Sequence, residues 1–98
     1  MGKDGIVYLV WELDEGDDEA QETFAEIGSI RQSEFFAAAQ SGIRAQYQIK
    51  VHESDYDGQT LVAFTPKGKR YTVYRTFAPG DGKIELYLSD KVGGNRGK

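Results

Sequence analysis

A chain of 98 residues holds one compact domain and is too short for two. Its composition, 39% hydrophobic with Tyr 6, Phe 5 and Trp 1, excludes intrinsic disorder, and the absence of cysteine excludes disulfide scaffolds, thiol nucleophiles and cysteine-ligated metals. The net charge of −4 is unevenly spread: residues 1–27 hold nine acids and one base, the remaining 71 hold seven acids and eleven bases. Such asymmetry suits an oriented molecule whose two ends meet different surroundings.

The opening Met1-Gly2-Lys3-Asp4-Gly5 lacks the basic and apolar regions of a signal peptide, so a soluble chain is expected. Ile6 to Leu13 is apolar on both faces and broken by Glu12. It is too short for a membrane helix of ~20 residues and reads as a strand that is central or covered on each side. Residues 14–22 follow with six carboxylates (Asp14, Glu15, Asp17, Asp18, Glu19 and Glu22) and no base. Self-repulsion without apolar anchors predicts a protruding acidic loop over this stretch.

Thr23 to Ile30 reads as the second strand. A short helix is predicted at about residues 33–41, with Ser33 as N-cap, Glu34 in the first turn and Gly42 at the left-handed C′ position. Phe35, Ala38 and Ala39 form a narrow apolar stripe. Eight helical residues span only ~12 Å, so the helix needs the sheet or a barrel end to hold it. Tyr47, Ile49 and Val51 alternate with Gln48, Lys50 and His52, the period of a half-buried strand. Further strands are expected at Gln59 to Thr65, Arg70 to Phe77 and Lys83 to Ser89, joined by the Gly- and Pro-containing turns 66–69 and 79–82. The fold expectation is mainly β: a small antiparallel β-barrel of about six strands with one short α-helix. It occupies residues 1–92 as a single domain, and 93–98 form a flexible C-terminal tail. Val7, Leu9, Trp11, Ile49, Val51, Val73, Ile84, Leu86 and Leu88 are the expected core.

Catalytic chemistry finds little to work with. His52 is the only histidine, so neither a histidine triad nor a multi-histidine metal site can form within one chain. The acids of 14–22 lack the rigid pairing that glycosidase chemistry needs and the ligand spacing of a calcium loop. No catalytic residue, cofactor site or metal site is expected. Lys67, Lys69 and Arg70 lie near Tyr71, Tyr74 and Tyr87, a combination that single-strand binding barrels use, although the acidic balance opposes it. Arg75 falls between Val73 and Phe77 on what alternation makes an apolar face. There it needs a carboxylate, and Glu34, Asp55 and Asp57 are the candidates for a structural ion pair.

Four segments in order carry a resemblance: Arg31-Gln32-Ser33-Glu34-Phe35-Phe36-Ala37-Ala38, then Asp55-Tyr56-Asp57-Gly58, then Tyr71-Thr72-Val73-Tyr74-Arg75-Thr76-Phe77, then Ile84-Glu85-Leu86-Tyr87-Leu88 with Lys91-Val92-Gly93. In this the chain resembles the head–tail joining proteins of tailed bacteriophages and prophages, also called head closure, stopper or adaptor proteins. The resemblance implies a small β-barrel, monomeric alone or in a homo-oligomeric ring, with no catalytic residue. Such a ring sits below the portal or adaptor protein, joins head to tail proteins and helps retain packaged DNA. DNA would pass through it without sequence-specific binding, and no membrane is involved. The implied location is the virion, and the host cytoplasm during assembly. Within that reading Asp14, Glu15, Asp17, Asp18, Glu19 and Glu22 are the candidate channel or subunit-contact loop. The alternative is a monomeric β-barrel module that binds nucleic acid or a peptide.

Overall fold

The computed structural model describes residues 3–11 and 19–90. Six strands close an antiparallel barrel: β1 (Lys3–Trp11), β2 (Glu19–Ser29), β3 (Ala45–His52), β4 (Leu61–Ala63), β5 (Arg70–Phe77) and β6 (Lys83–Asp90). Around the wall the order is β1-β2-β3-β6-β5-β4, so β4, β5 and β6 form the expected meander. One helix, α1 (Gln32–Ala39), lies between β2 and β3, and a single 3-10 turn, η1 (Glu53–Asp55), follows β3.

Alternation sorts the side chains as the pattern predicted. Val7, Leu9, Ile49, Val51, Ile84, Leu86 and Leu88 point inward and are buried together with Ala25 and Val62. Removing a leucine-sized side chain from water stabilises by ~1.5–3 kcal/mol, so this short list supplies most of the driving force. Two expected core members sit differently. Val73 is half-buried and packs against the cluster. Trp11 lies outside it, half-buried at the end of β1 near Gly58.

The two ends of the barrel are filled differently. At one, Tyr47, Phe64 and Tyr71 pack edge to face with ring centroids 5.1–5.4 Å apart, the geometry that quadrupoles favour. At the other, the segment after β3 crosses the mouth. Tyr56 packs against the core and donates a 2.9 Å hydrogen bond to the Gln59 carbonyl, and the Gln21 amide donates to the Asp55 carbonyl at 3.1 Å.

Three expectations are corrected in detail. The helix starts at Gln32, with Arg31 and not Ser33 in the N-cap position and no side-chain cap. Its predicted apolar stripe is mostly outside: Ala38 is its buried residue, and Phe35 is 44% exposed. The cause is the far end, where Gly42 at φ +78 turns the chain so that the Ile43 N–H reaches the Ala38 carbonyl at 3.0 Å and the Gly42 N–H reaches Ala39 at 2.9 Å. This is the expected glycine C-cap, and it draws the helix onto the barrel through Ala38. Finally, Glu19 and Glu22 belong to β2, paired with Trp11 and Tyr8, and not to a loop. Asp14, Glu15, Asp17, Asp18 and the tail 93–98 lie outside the described residues.

Candidate functional site

A bulge decides where Arg75 points. Val73 is opposite Leu88 and Arg75 is opposite Tyr87, so Tyr74 is an extra residue in β5. One extra residue resets the side-chain alternation. Arg75 therefore shares the outward face with Tyr87, and the apolar face that alternation assigned to it is never charged.

On that outward face α1 is clamped to the barrel. The Arg75 guanidinium donates to both carboxylate oxygens of Glu34, through Nη2 at 2.5 Å and Nε at 3.3 Å. The Tyr74 hydroxyl donates to the same carboxylate at 2.7 Å. The guanidinium carbon lies 4.1 Å from the centre of the Tyr87 ring, a cation–π contact, and the Tyr87 hydroxyl donates to Glu85 at 2.6 Å. Glu34 is the less exposed partner, at 14% against 45% for Arg75. The Arg75 hydrogen bond holds its carboxyl below the usual carboxylate value, against the opposing effect of burial. Burial, then the bond to Glu34, push the Tyr74 phenol upward. The pair Arg75–Glu34 is thus the one formed. Asp55 and Asp57 make no ion pair with Arg75; the Asp57 N–H is instead held by the Gln59 side-chain oxygen at 2.8 Å. Beside the clamp, Glu34, Ala37, Ser41, Ile43 and Tyr74 line an open groove of about 550 Å³.

Gln59 was not anticipated. It is fully buried, and its Nε2 has no partner; Thr23 Oγ1, also buried, shares that state. The sequence reads Gln59 as the first residue of a strand, but β4 begins only at Leu61, and a glutamine just after Asp57-Gly58 carries no signal of burial.

The tyrosines do not share one surface. Tyr71 closes a barrel end, whereas Tyr74 and Tyr87 hold the helix clamp on the outer wall. Lys69, 5.0 Å from the Tyr71 ring centre, is paired with Asp90 at 2.8 Å, and the Arg70 guanidinium reaches the Pro66 and Gly68 carbonyls at 3.4 Å. His52 is exposed at the end of β3.

Topology biases the charges along the barrel axis, with Lys83 at the mainly acidic end and Glu34 and Asp90 at the mainly basic one. At the end where β1, β3 and β5 finish stand Glu53, Asp55, Asp57 and Asp81, with Glu22 near the start of β2. At the opposite end are Arg31 and Arg44, flanking α1, and Lys67, Lys69 and Arg70 between β4 and β5. The β1–β2 hairpin also outreaches its neighbours. Its ladder runs from Lys3–Ile27 to Trp11–Glu19, whereas β3 pairs only with Glu26–Ser29 and β4 only with Tyr8–Val10. On one side β1 stays paired with β4 through Val10, and on the other β2 runs free of β3 from Glu19 to Ala25, so one edge of the wall is left open toward the acidic end.

The chain matches no family model, no curated protein and no solved structure. Among the described residues no cluster of three metal-ligating side chains exists, and no helix is long and apolar enough to cross a membrane.

Proposed function

We propose that this protein is a structural connector, a subunit of a ring below a phage portal or adaptor that joins head to tail and helps retain packaged DNA. The observation that carries the reading is the β1–β2 ladder, paired from Lys3–Ile27 to Trp11–Glu19, with β2 free of β3 from Glu19 to Ala25. The sequence that joins the two strands contains Asp14, Glu15, Asp17 and Asp18, next to Glu19 and Glu22 of β2. Repeated around a ring, these carboxylates form a negative annulus that repels DNA from the wall, the reverse of the counterion release that drives binding. Retention then comes from physical constriction by the hairpins. The axial bias of charge supports the same reading, because a connector meets one neighbour at each end. The reading follows the resemblance to head–tail joining proteins that the four ordered segments of the sequence carry.

The register offers a clean test. Trp11 is paired with Glu19, so replacing residues 12–18 by Asn-Gly closes the hairpin with a two-residue turn and leaves the barrel intact. The shortened chain is expected to fold, and to give particles that join heads to tails poorly or leak DNA. Fully infectious particles carrying it would overturn the proposal. Tight binding of a single-stranded oligonucleotide or a peptide by the monomer would favour the other reading, a monomeric binding barrel.

A further inference from the structure

The segment between β3 and β4, Glu53 to Thr60, crosses the barrel mouth at the mainly acidic end and is bonded largely to itself. The Tyr56 N–H donates to the Glu53 carbonyl at 3.2 Å, the Tyr56 hydroxyl to the Gln59 carbonyl at 2.9 Å, and the Asp57 N–H to Gln59 Oε1 at 2.8 Å. Its backbone is tied to the wall at its two ends. There the Glu53 N–H donates to the Gly82 carbonyl and the Val73 N–H to the Thr60 carbonyl, each at 2.9 Å. Between those ends the one polar tie among the described residues is the exposed Gln21 amide, 3.1 Å from the Asp55 carbonyl. Glu53, Asp55 and Asp57 form no ion pair among the described residues.

What this segment buries is only partly satisfied. Tyr56 packs against the core, and Gln59 is fully buried with its Oε1 bonded and its Nε2 without a partner. Thr23 carries the same defect at Oγ1. It is paired with the inward Val7, as Gln21 is with the inward Leu9, so Thr23 lies one inward position deeper than Gln21. A buried donor left unpaired raises the free energy of the closed arrangement, and water supplies the missing acceptor once the segment lifts. Lifting keeps the bonds inside the segment. It gives up the Gln21 tie and the burial of Tyr56, and leaves the strand ladders of the wall as they are.

We propose that residues 53–60 are a strap, poised to lift from the barrel mouth as one unit while the six strands stay closed. Glu53 and Thr60 anchor its ends, Gln21 is its latch, and the unpaired amide of Gln59 lowers the cost of opening. Closed, the strap caps the core through Tyr56. Open, it bares that end of the core beside the stretch of β2 that β3 leaves unpaired, Glu19 to Ala25. Segments with few apolar contacts and few bonds to their surroundings open at free energies well below that of global unfolding, and this one has few of either. The strap is independent of the connector reading, which rests on the β1–β2 hairpin.

Thiol labelling tests the strap in the full chain, which has no cysteine of its own. Thr23→Cys places a single buried thiol at the mouth, close to threonine in size, and leaves every strap residue in place. Its labelling by an aromatic disulfide in native buffer should run at least about tenfold faster than global unfolding of the same variant allows, and should stay nearly flat with urea until the main transition. In that background Gln21→Ala, at an exposed position, should raise the rate severalfold by removing the latch. Gln59→Met should lower it severalfold, because that side chain gains nothing from water on opening. A rate that follows global unfolding at every urea concentration, or one that either substitution leaves unchanged, would overturn the proposal. A second reading needs no thiol. Trp11, the only tryptophan, is half-buried beside Gly58 of the strap. Acrylamide should quench its fluorescence more after Gln21→Ala and less after Gln59→Met, and equal quenching in all three chains would overturn the proposal as well.

Discussion

Arg75 and Glu34 meet across 41 positions of sequence through two hydrogen bonds, with Tyr74 adding a third to the same carboxylate. The arginine is 45% exposed, so solvent screens the pair, and its worth is that of a well-formed surface bridge and not of a buried one. A double-mutant cycle of Arg75→Met with Glu34→Gln should give a coupling above about 0.5 kcal/mol at neutral pH, whereas Arg75→Met with Asp55→Asn should be additive. The pH dependence has a definite sign. Glu34 titrates below its ordinary 4.5 in the folded chain, so its contribution is present above that value and is lost as pH falls through the lower, folded one. The coupling should therefore shrink in acid; a coupling of zero at neutral pH, or one that acid leaves unchanged, would remove the clamp. The sequence made Arg75 conspicuous and narrowed its partner to three acids. It could not supply the bulge at Tyr74, because an inserted residue leaves no trace in alternation until the opposite strand is known.

Among the elements, the strands with one apolar face were legible to within a few residues, and β6 is the clearest case: Ile84, Leu86 and Leu88 are inward as their spacing requires. The start of β2 was not. Glu19 to Glu22 carry no apolar alternation, so charge made them look like loop, yet their backbone pairs with β1, and Ala20 and Glu22 are exposed as the alternation from Phe24 requires. The helix was legible through its C-terminus more than its N-terminus. Gly42 at φ +78 is bound into the turn that places Ala38 against Ile43, and a β-carbon there would meet no atom within 4 Å. Gly42→Ala therefore isolates backbone strain from steric clash. It should cost about 1–2 kcal/mol and lower the melting temperature by several degrees, seen by circular dichroism. Unchanged stability would mean that the helix can end another way.

For the whole molecule, an axial bias of charge arises because the start of β2 and the acidic turns after β3 and β5 gather at one end. Composition could announce the imbalance, but only the strand order assigns it to a direction. The first hairpin was likewise half legible: its acids were plain, the extent of its ladder was not. The same strand order has a kinetic consequence. The barrel is sealed by β4, whose three residues join β1 on one side and β5 on the other. Tyr8 meets Ala63 and Val10 meets Leu61, contacts between chain positions about fifty apart that must close a long loop for three residue pairs. The hairpin β1–β2 and the pair β5–β6 are local by comparison and form at lower entropic cost. Sealing is then expected to be the last event in folding and the first in unfolding. Val62→Ala, at a fully buried position of β4, should accelerate unfolding in stopped-flow measurements while leaving the folding rate nearly unchanged. A folding rate that falls in step with stability would instead make the seam part of the nucleus. A barrel closed by so thin a strip has a built-in place to open, and its lifetime in the closed form is set there and not in the thick ladder of its first hairpin.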